Sequence, residues 1–149
     1  MDSERPLLAP FWLIAAAIAG IGDTFYLSWH AFQGTLPTCS ILKGCDIVLQ
    51  SQYAKVFGVP LAYIGLVFYI YLLGMSILLA CDPYAKGLRF GMLAYASIGV
   101  ACSVIFAYIW IFLIHALCIY CLTSAIITLI VFALAVWHVR ASSRGGSAH

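Results

Sequence analysis

Charge is what this sequence has least of. Only 8% of the 149 residues are Asp, Glu, Lys or Arg, while 65% are hydrophobic. A soluble domain of this size cannot hide so much apolar surface, so the composition excludes one and points to a bilayer. Three long runs, Val56–Ala80, Phe90–Ile114 and Ala116–Trp137, contain no charged residue at all. A fourth, Phe11–His30, contains only Asp23. Each is long enough for the roughly 20 helical residues that cross a bilayer core. The short alternating segments of a membrane β-barrel are missing. No basic cluster is present, and a net charge of +2 gives no reason to expect nucleic acid as a partner. Internal repeats are absent too. A removable signal peptide is disfavoured, because two acids and one base precede the first run and no small-x-small site ends it.

The expected fold is therefore an all-α, four-transmembrane-helix bundle in one domain over residues 1–140. Its spans are 11–30, 56–80, 90–114 and 116–137, and an extramembrane cap segment, 31–55, joins the first two. A polar Gly/Ser-rich tail, 141–149, is expected to be disordered. Arg5, Lys86, Arg89, Arg140 and Arg144 fall on one side of these spans, and Lys43 and Lys55 on the other. Basic residues favour the cytoplasmic side, so both termini are expected there, with the cap on the outer face. Trp12, Trp29, Trp110 and Trp137 stand near span ends, as an interfacial aromatic belt would place them.

This topology sorts the six cysteines. Cys39 and Cys45 lie in the cap segment, and Cys118 and Cys121 at the outer end of the fourth span. Four thiols thus share the oxidising face, where disulfides persist. Cys81 and Cys102 have no evident partner and read as small apolar fillers. Cys118 and Cys121, three apart, share one helix face. The helix N-terminus favours a Cys118 thiolate, and Cys121 lies about 4.5 Å deeper at 1.5 Å per residue. One thiol then faces the aqueous interface and the other the lipid, which suits a relay from a protein dithiol to a hydrophobic electron acceptor. Three alternatives stand beside this one. The cysteines only pack, with the cap pair as a static clip; four thiolates hold zinc or another soft metal; or the chain is a DsbB-type enzyme with the same chemistry.

The segment "CSILKGCDIVLQSQYAKVFGVPLAYIG" spaces Cys39, Cys45 and Ser51 by five residues each, and Phe57-Gly58-Val59-Pro60 then opens the second span. Together with "CIYC" in the fourth span, it resembles the vitamin K epoxide reductase family in its bacterial form. The resemblance implies a four-helix bundle around a quinone, ubiquinone or menaquinone. Two electrons would pass to it from a thioredoxin-like dithiol protein on the outer face of the bacterial inner membrane. It implies that Cys39 and Cys45 are the shuttle pair, that Cys118 exchanges with Cys45, and that Cys121 adjoins the quinone. The chain ends at His149, so the dithiol protein is expected to be separate. The expected quinone contacts are Ser51, Phe57, Cys121, Asp23 and Tyr26. Asp23 is the only acid inside a span, an expensive placement that suggests a role in proton supply. His115 reads as an interfacial anchor. Ile47, Val48, Ser51 and Ala54 are spaced for one face of a short helix lying over the bundle mouth. The DsbB family is less similar, since its Cys-x-x-Cys lies in an outer loop.

Overall fold

A computed structural model describes residues 5–39 and 44–145. Lys43 and the end of the expected tail, 146–149, lie outside the described residues. Five helices follow in order: α1 Arg5–Gln33, α2 Cys45–Gln50, α3 Leu61–Cys81, α4 Lys86–Tyr108 and α5 Ile119–Gly145. A 3-10 turn, Gln52–Ala54, follows α2, and a π-helical turn, Ile109–Ile114, prolongs α4. Two short strands, β1 Lys55–Val56 and β2 Val59–Pro60, pair antiparallel.

Four helical stretches are long and apolar enough to cross a membrane, Leu8–Gln33, Leu61–Cys81, Lys86–Ile114 and Ile119–Arg144. The architecture is the all-α membrane bundle the composition calls for. Helix α1 packs on α3 and α5, and α4 packs on the same two, so the four close a ring. Leu13, Ala17, Tyr69, Leu72, Met92, Ala96 and Val131 form its core. Phe11, Val67 and Val104 point outward and are mostly exposed. In lipid such faces need no cover. Helices there are held by close packing and internal polar contacts rather than by the hydrophobic effect.

The element ends depart from the sequence expectation in four places. The second span starts at Leu61 rather than Val56, because the chain first makes a hairpin. Phe57 and Gly58 form its turn with φ of 52° and 83°. Pro60 then stands at the start of α3, where its missing N–H has no partner to lose. The third span starts at Lys86, after a turn in which Asp82 accepts the Tyr84 N–H at 3.3 Å. The fourth starts at Ile119 and runs on to Gly145, through part of the tail expected to be disordered. Ser143 bonds back to the Val139 carbonyl at 2.9 Å, and Arg144 in the last turn complements the helix dipole. Finally, α2 is only six residues long and ends at Ser51 in extended backbone. Val48 is buried, but Ile47 faces outward, so the cap is a helical turn and a 3-10 turn rather than one amphipathic helix.

Trp110 also departs from its expected place. Trp12 and Trp29 are at least half exposed, as belt residues should be, but Trp110 is buried among cysteines. The π-turn explains the displacement. It adds a residue to the last turn of the third span, a feature that recurs at functional sites. It ends at His115 in the left-handed conformation (φ 55°), whose N–H bonds back to the Trp110 carbonyl.

Candidate active site

The cap end of the bundle gathers the four cysteines of the two pairs. Cys45 and Cys118 are both completely buried and share one small cluster with Val48 and Trp110. Cys39 and Cys121 pack against that cluster, each partly buried. Cys39 and Cys45 form a disulfide, with Cα atoms 6.3 Å apart. Cys118 and Cys121 are free thiols.

Local sequence features produce this meeting. Gly44 precedes α2 and lies against the chain just before Cys118. A Cβ at Gly44 would stand 2.5 Å from the Leu117 carbonyl oxygen, so any larger residue would push the cap off the bundle. On the other side of the pair, Tyr120 donates a hydrogen bond to the Thr38 carbonyl at 3.3 Å. One of the two residues between Cys118 and Cys121 thereby holds the backbone next to Cys39. Tyr120 in turn packs on Tyr26, with ring centroids 5.3 Å apart, and Tyr26 meets His30 edge-on.

Cys118 is not in the first helical turn but immediately before it, in the N-cap position. Its sulfur accepts the Cys121 N–H at 3.5 Å, and its carbonyl accepts the Leu122 N–H at 2.9 Å. A hydrogen bond from the Cys121 thiol is the main reason its own thiol falls from the usual range to about 7. Burial opposes the shift, and backbone N–H groups of Cys121 and Tyr120 add to it. A group that favours its anion loses a proton early, so Cys118 is the thiol of the pair that ionises first. The expected result is a thiolate ultraviolet absorbance that rises between pH 6 and 8 and is lost in Cys118→Ser. A rise centred near the ordinary thiol value of about 8.5 would contradict this assignment.

Beside the cluster lies a cavity of about 460 Å³, within the range of small-molecule sites. Val48, Leu49 and Ser51 of the cap close it above, and α1, α3, α4 and α5 supply its walls. Cys121 lines this cavity, whereas Cys118 does not. The two thiols of the fourth helix therefore face different compartments, one the cap disulfide and one the cavity.

The other expected contacts divide. Ser51 lines the cavity, but its hydroxyl donates to the Val48 carbonyl at 2.7 Å and so caps α2. Phe57 stands at the hairpin tip, fully exposed and away from the cavity, because the turn swings its side chain outward. Asp23 and Tyr26 are also absent from the cavity wall. Asp23 instead lies close enough to Cys118 for its charge to oppose the thiolate. Its Oδ2 is buried and has no hydrogen-bond partner among the described residues. Cys102, read as a filler, lines the cavity.

Sequence reasoning overlooked three hydroxyls. Tyr69 Oη lies 2.8 Å from the Ser124 carbonyl and 3.0 Å from both Ser124 Oγ and Thr128 Oγ1. All three residues line the cavity. Ser124 and Thr128 carry a legible signal, since they follow Cys121 by three and seven residues and so share its face. Tyr69 carries none, being 55 residues from Ser124.

Fold and site together define a membrane helix bundle with two cysteine pairs meeting at the mouth of an internal cavity. That arrangement is suited to dithiol–disulfide exchange inside a bilayer. The chain belongs to the vitamin K epoxide reductase family, which it matches over residues 11–136. It is similar to the thiol-disulfide oxidoreductase LTO1 of Arabidopsis thaliana, with 36% identity over 125 residues. The match covers 79% of this chain but 33% of that protein, so the chain spans about a third of its relative's length.

Proposed function

We propose that this protein oxidises a thioredoxin-like dithiol protein and passes the two electrons to a membrane quinone. One observation carries the reading: the cap disulfide, the buried Cys118 and the cavity-lining Cys121 form a continuous series. The name of the Arabidopsis relative supports the thiol chemistry. The cavity, with apolar walls and a few hydroxyls, fits a quinone ring.

Each step up to the acceptor is thiol–disulfide exchange. A reduced partner attacks the Cys39–Cys45 disulfide at Cys39, the less buried sulfur. The freed Cys45 attacks Cys118 of an oxidised Cys118–Cys121 pair and releases Cys121. The partner's second thiol attacks the mixed disulfide, which oxidises the partner and frees Cys39. Cys39 then attacks Cys45 of the Cys45–Cys118 bond, which restores the cap disulfide and leaves Cys118 and Cys121 both reduced. That is the disulfide pattern described above, with electrons held at α5. Oxidation of this dithiol supplies two electrons and two protons, which together convert a quinone to a quinol. The soft-metal alternative needs four thiolates, and the joined cap pair leaves two.

The five-to-two distribution of basic residues supports an orientation with the cap outside. The resemblance to the bacterial form of the family makes the bacterial inner membrane the proposed location. The test is direct. Purified protein, given a reduced thioredoxin-like protein and a soluble quinone, should form one quinol per two thiols lost. In intact cells after mild reduction, impermeant maleimide should reach Cys39 or Cys45 and spare Cys81. Stoichiometric zinc without quinol formation would favour the metal reading, and labelling of Cys81 would invert the orientation.

A further inference from the structure

Below Cys121 the cavity wall changes character. Phe68, Ile98 and Ala125 are apolar, but Ser124 and Thr128 place hydroxyls on the same α5 stripe. At 1.5 Å per residue they lie about 4.5 and 10.5 Å deeper than Cys121. Tyr69 reaches across from α3 to join them, forming a hub of three hydroxyls.

Three helices hold that phenol in place. Gly20 of α1 lies so close to the Tyr69 ring that a Cβ would overlap it. Phe68 packs edge-on against the ring at 5.3 Å. The hydroxyl end is held by α5. Tyr69 is 1% exposed, so its position on the wall is a property of the bundle rather than of a mobile side chain.

Here the phenol O–H donates to the Ser124 carbonyl at 2.8 Å, but that bond is replaceable. The same carbonyl also accepts the Thr128 hydroxyl at 2.9 Å, so it keeps a side-chain donor when the Tyr69 O–H rotates toward the cavity with the ring fixed. Ser124 Oγ can then donate to Tyr69 Oη, and a donor that itself accepts a hydrogen bond is strengthened. A quinone with its ring beside Cys121 must bury a carbonyl oxygen among the apolar residues below. An oxygen buried without a donor is unfavourable.

We infer that Tyr69, backed by Ser124 and Thr128, donates a hydrogen bond to the buried carbonyl oxygen of the quinone that Cys121 reduces. This rests on the quinone reading above. The Cys118–Cys121 dithiol becomes a disulfide, and its two electrons and two protons end on the two quinone oxygens. Tyr69 keeps its own proton throughout. Its hydrogen bond strengthens as negative charge grows on the oxygen, so it favours the transition state over the bound quinone.

Tyr69→Phe retains the ring between α1 and α5 and removes only Oη. It should lower kcat for a soluble quinone by roughly 100- to 1,000-fold, the range for loss of one donor to a developing oxyanion. Electron transfer from reduced partner to the α5 pair, followed without quinone in a single turnover, should keep its wild-type rate. A merely structural tyrosine would slow both half-reactions alike and change KM rather than kcat. Ser124→Ala leaves Tyr69 its Thr128 contact and should lose several-fold, which gives an independent readout if Tyr69→Phe folds poorly. Wild-type quinone kinetics in both variants, in a protein that does reduce quinone, would overturn the role of Tyr69 alone. Absence of quinone reduction in the wild type would remove this inference together with the reading beneath it.

Discussion

In the Cys39→Ala protein, a disulfide between Cys45 and Cys118 is expected to accumulate. Both residues are completely buried in one cluster with Val48 and Trp110, and Gly44 rests on Leu117 beside them. In the intact protein such a bond is short-lived, because Cys39 attacks it from the cap and Cys121 from the helix. Removing Cys39 leaves only the reverse reaction through Cys121. The bond would close a loop of about 70 residues and restrict the unfolded chain by about 4 kcal/mol in the loop-entropy account. The variant should therefore unfold at a higher temperature before reduction than after it. Non-reducing proteolysis with mass spectrometry would find the crosslinked peptide. If both residues remained free thiols under oxidising conditions with quinone present, the relay would be wrong and the cap disulfide would be a static clip.

Cys121→Ser should have the largest effect on turnover. Cys118 does not line the cavity, so the substitution removes the only thiol of the α5 pair that does. Quinone reduction should drop on the order of 10³-fold or more, as loss of a nucleophile does in other enzymes. Cys118 would keep its access to Cys45, so the crosslink described above should still be trappable. Cys102 also lines the cavity and gives this experiment its sharpest counter-outcome. If Cys121→Ser kept activity within tenfold and Cys121→Ser with Cys102→Ser did not, electrons would reach the acceptor through α4 instead.

Several features of the site were legible before any fold was known. The two pairs fall on one side of the bilayer because an even number of crossings separates the cap from the start of the fourth span. The facing of Cys118 and Cys121 follows from helical spacing. Each of these is a counting argument along the chain, and each is local. The errors have a common origin in places where local rules compete. The second span looked five residues longer because Val56, Val59 and Pro60 are apolar, yet in the structure they form a hairpin around Phe57 and Gly58. Trp110 looked like a belt residue because it stands near a span end, but the π-turn carries it inside.

What the sequence by itself determined is a membrane protein with four crossings, two cysteine pairs at one face and a helix that can offer two thiols together. Those properties depend on run length, charge scarcity and a period of three to four residues, which neighbouring side chains alone decide. The tertiary structure decided which faces look inward. In α3 nearly every residue is apolar, so no polar stripe distinguishes the lipid side from the bundle side. Only packing could select Tyr69 for the cavity, bring Cys45 against Cys118, and leave Phe57 outside. Gly20 and Gly44 show how that selection is made. Each is a place where one missing Cβ lets two distant segments touch, and nothing adjacent in the chain records which segment will arrive.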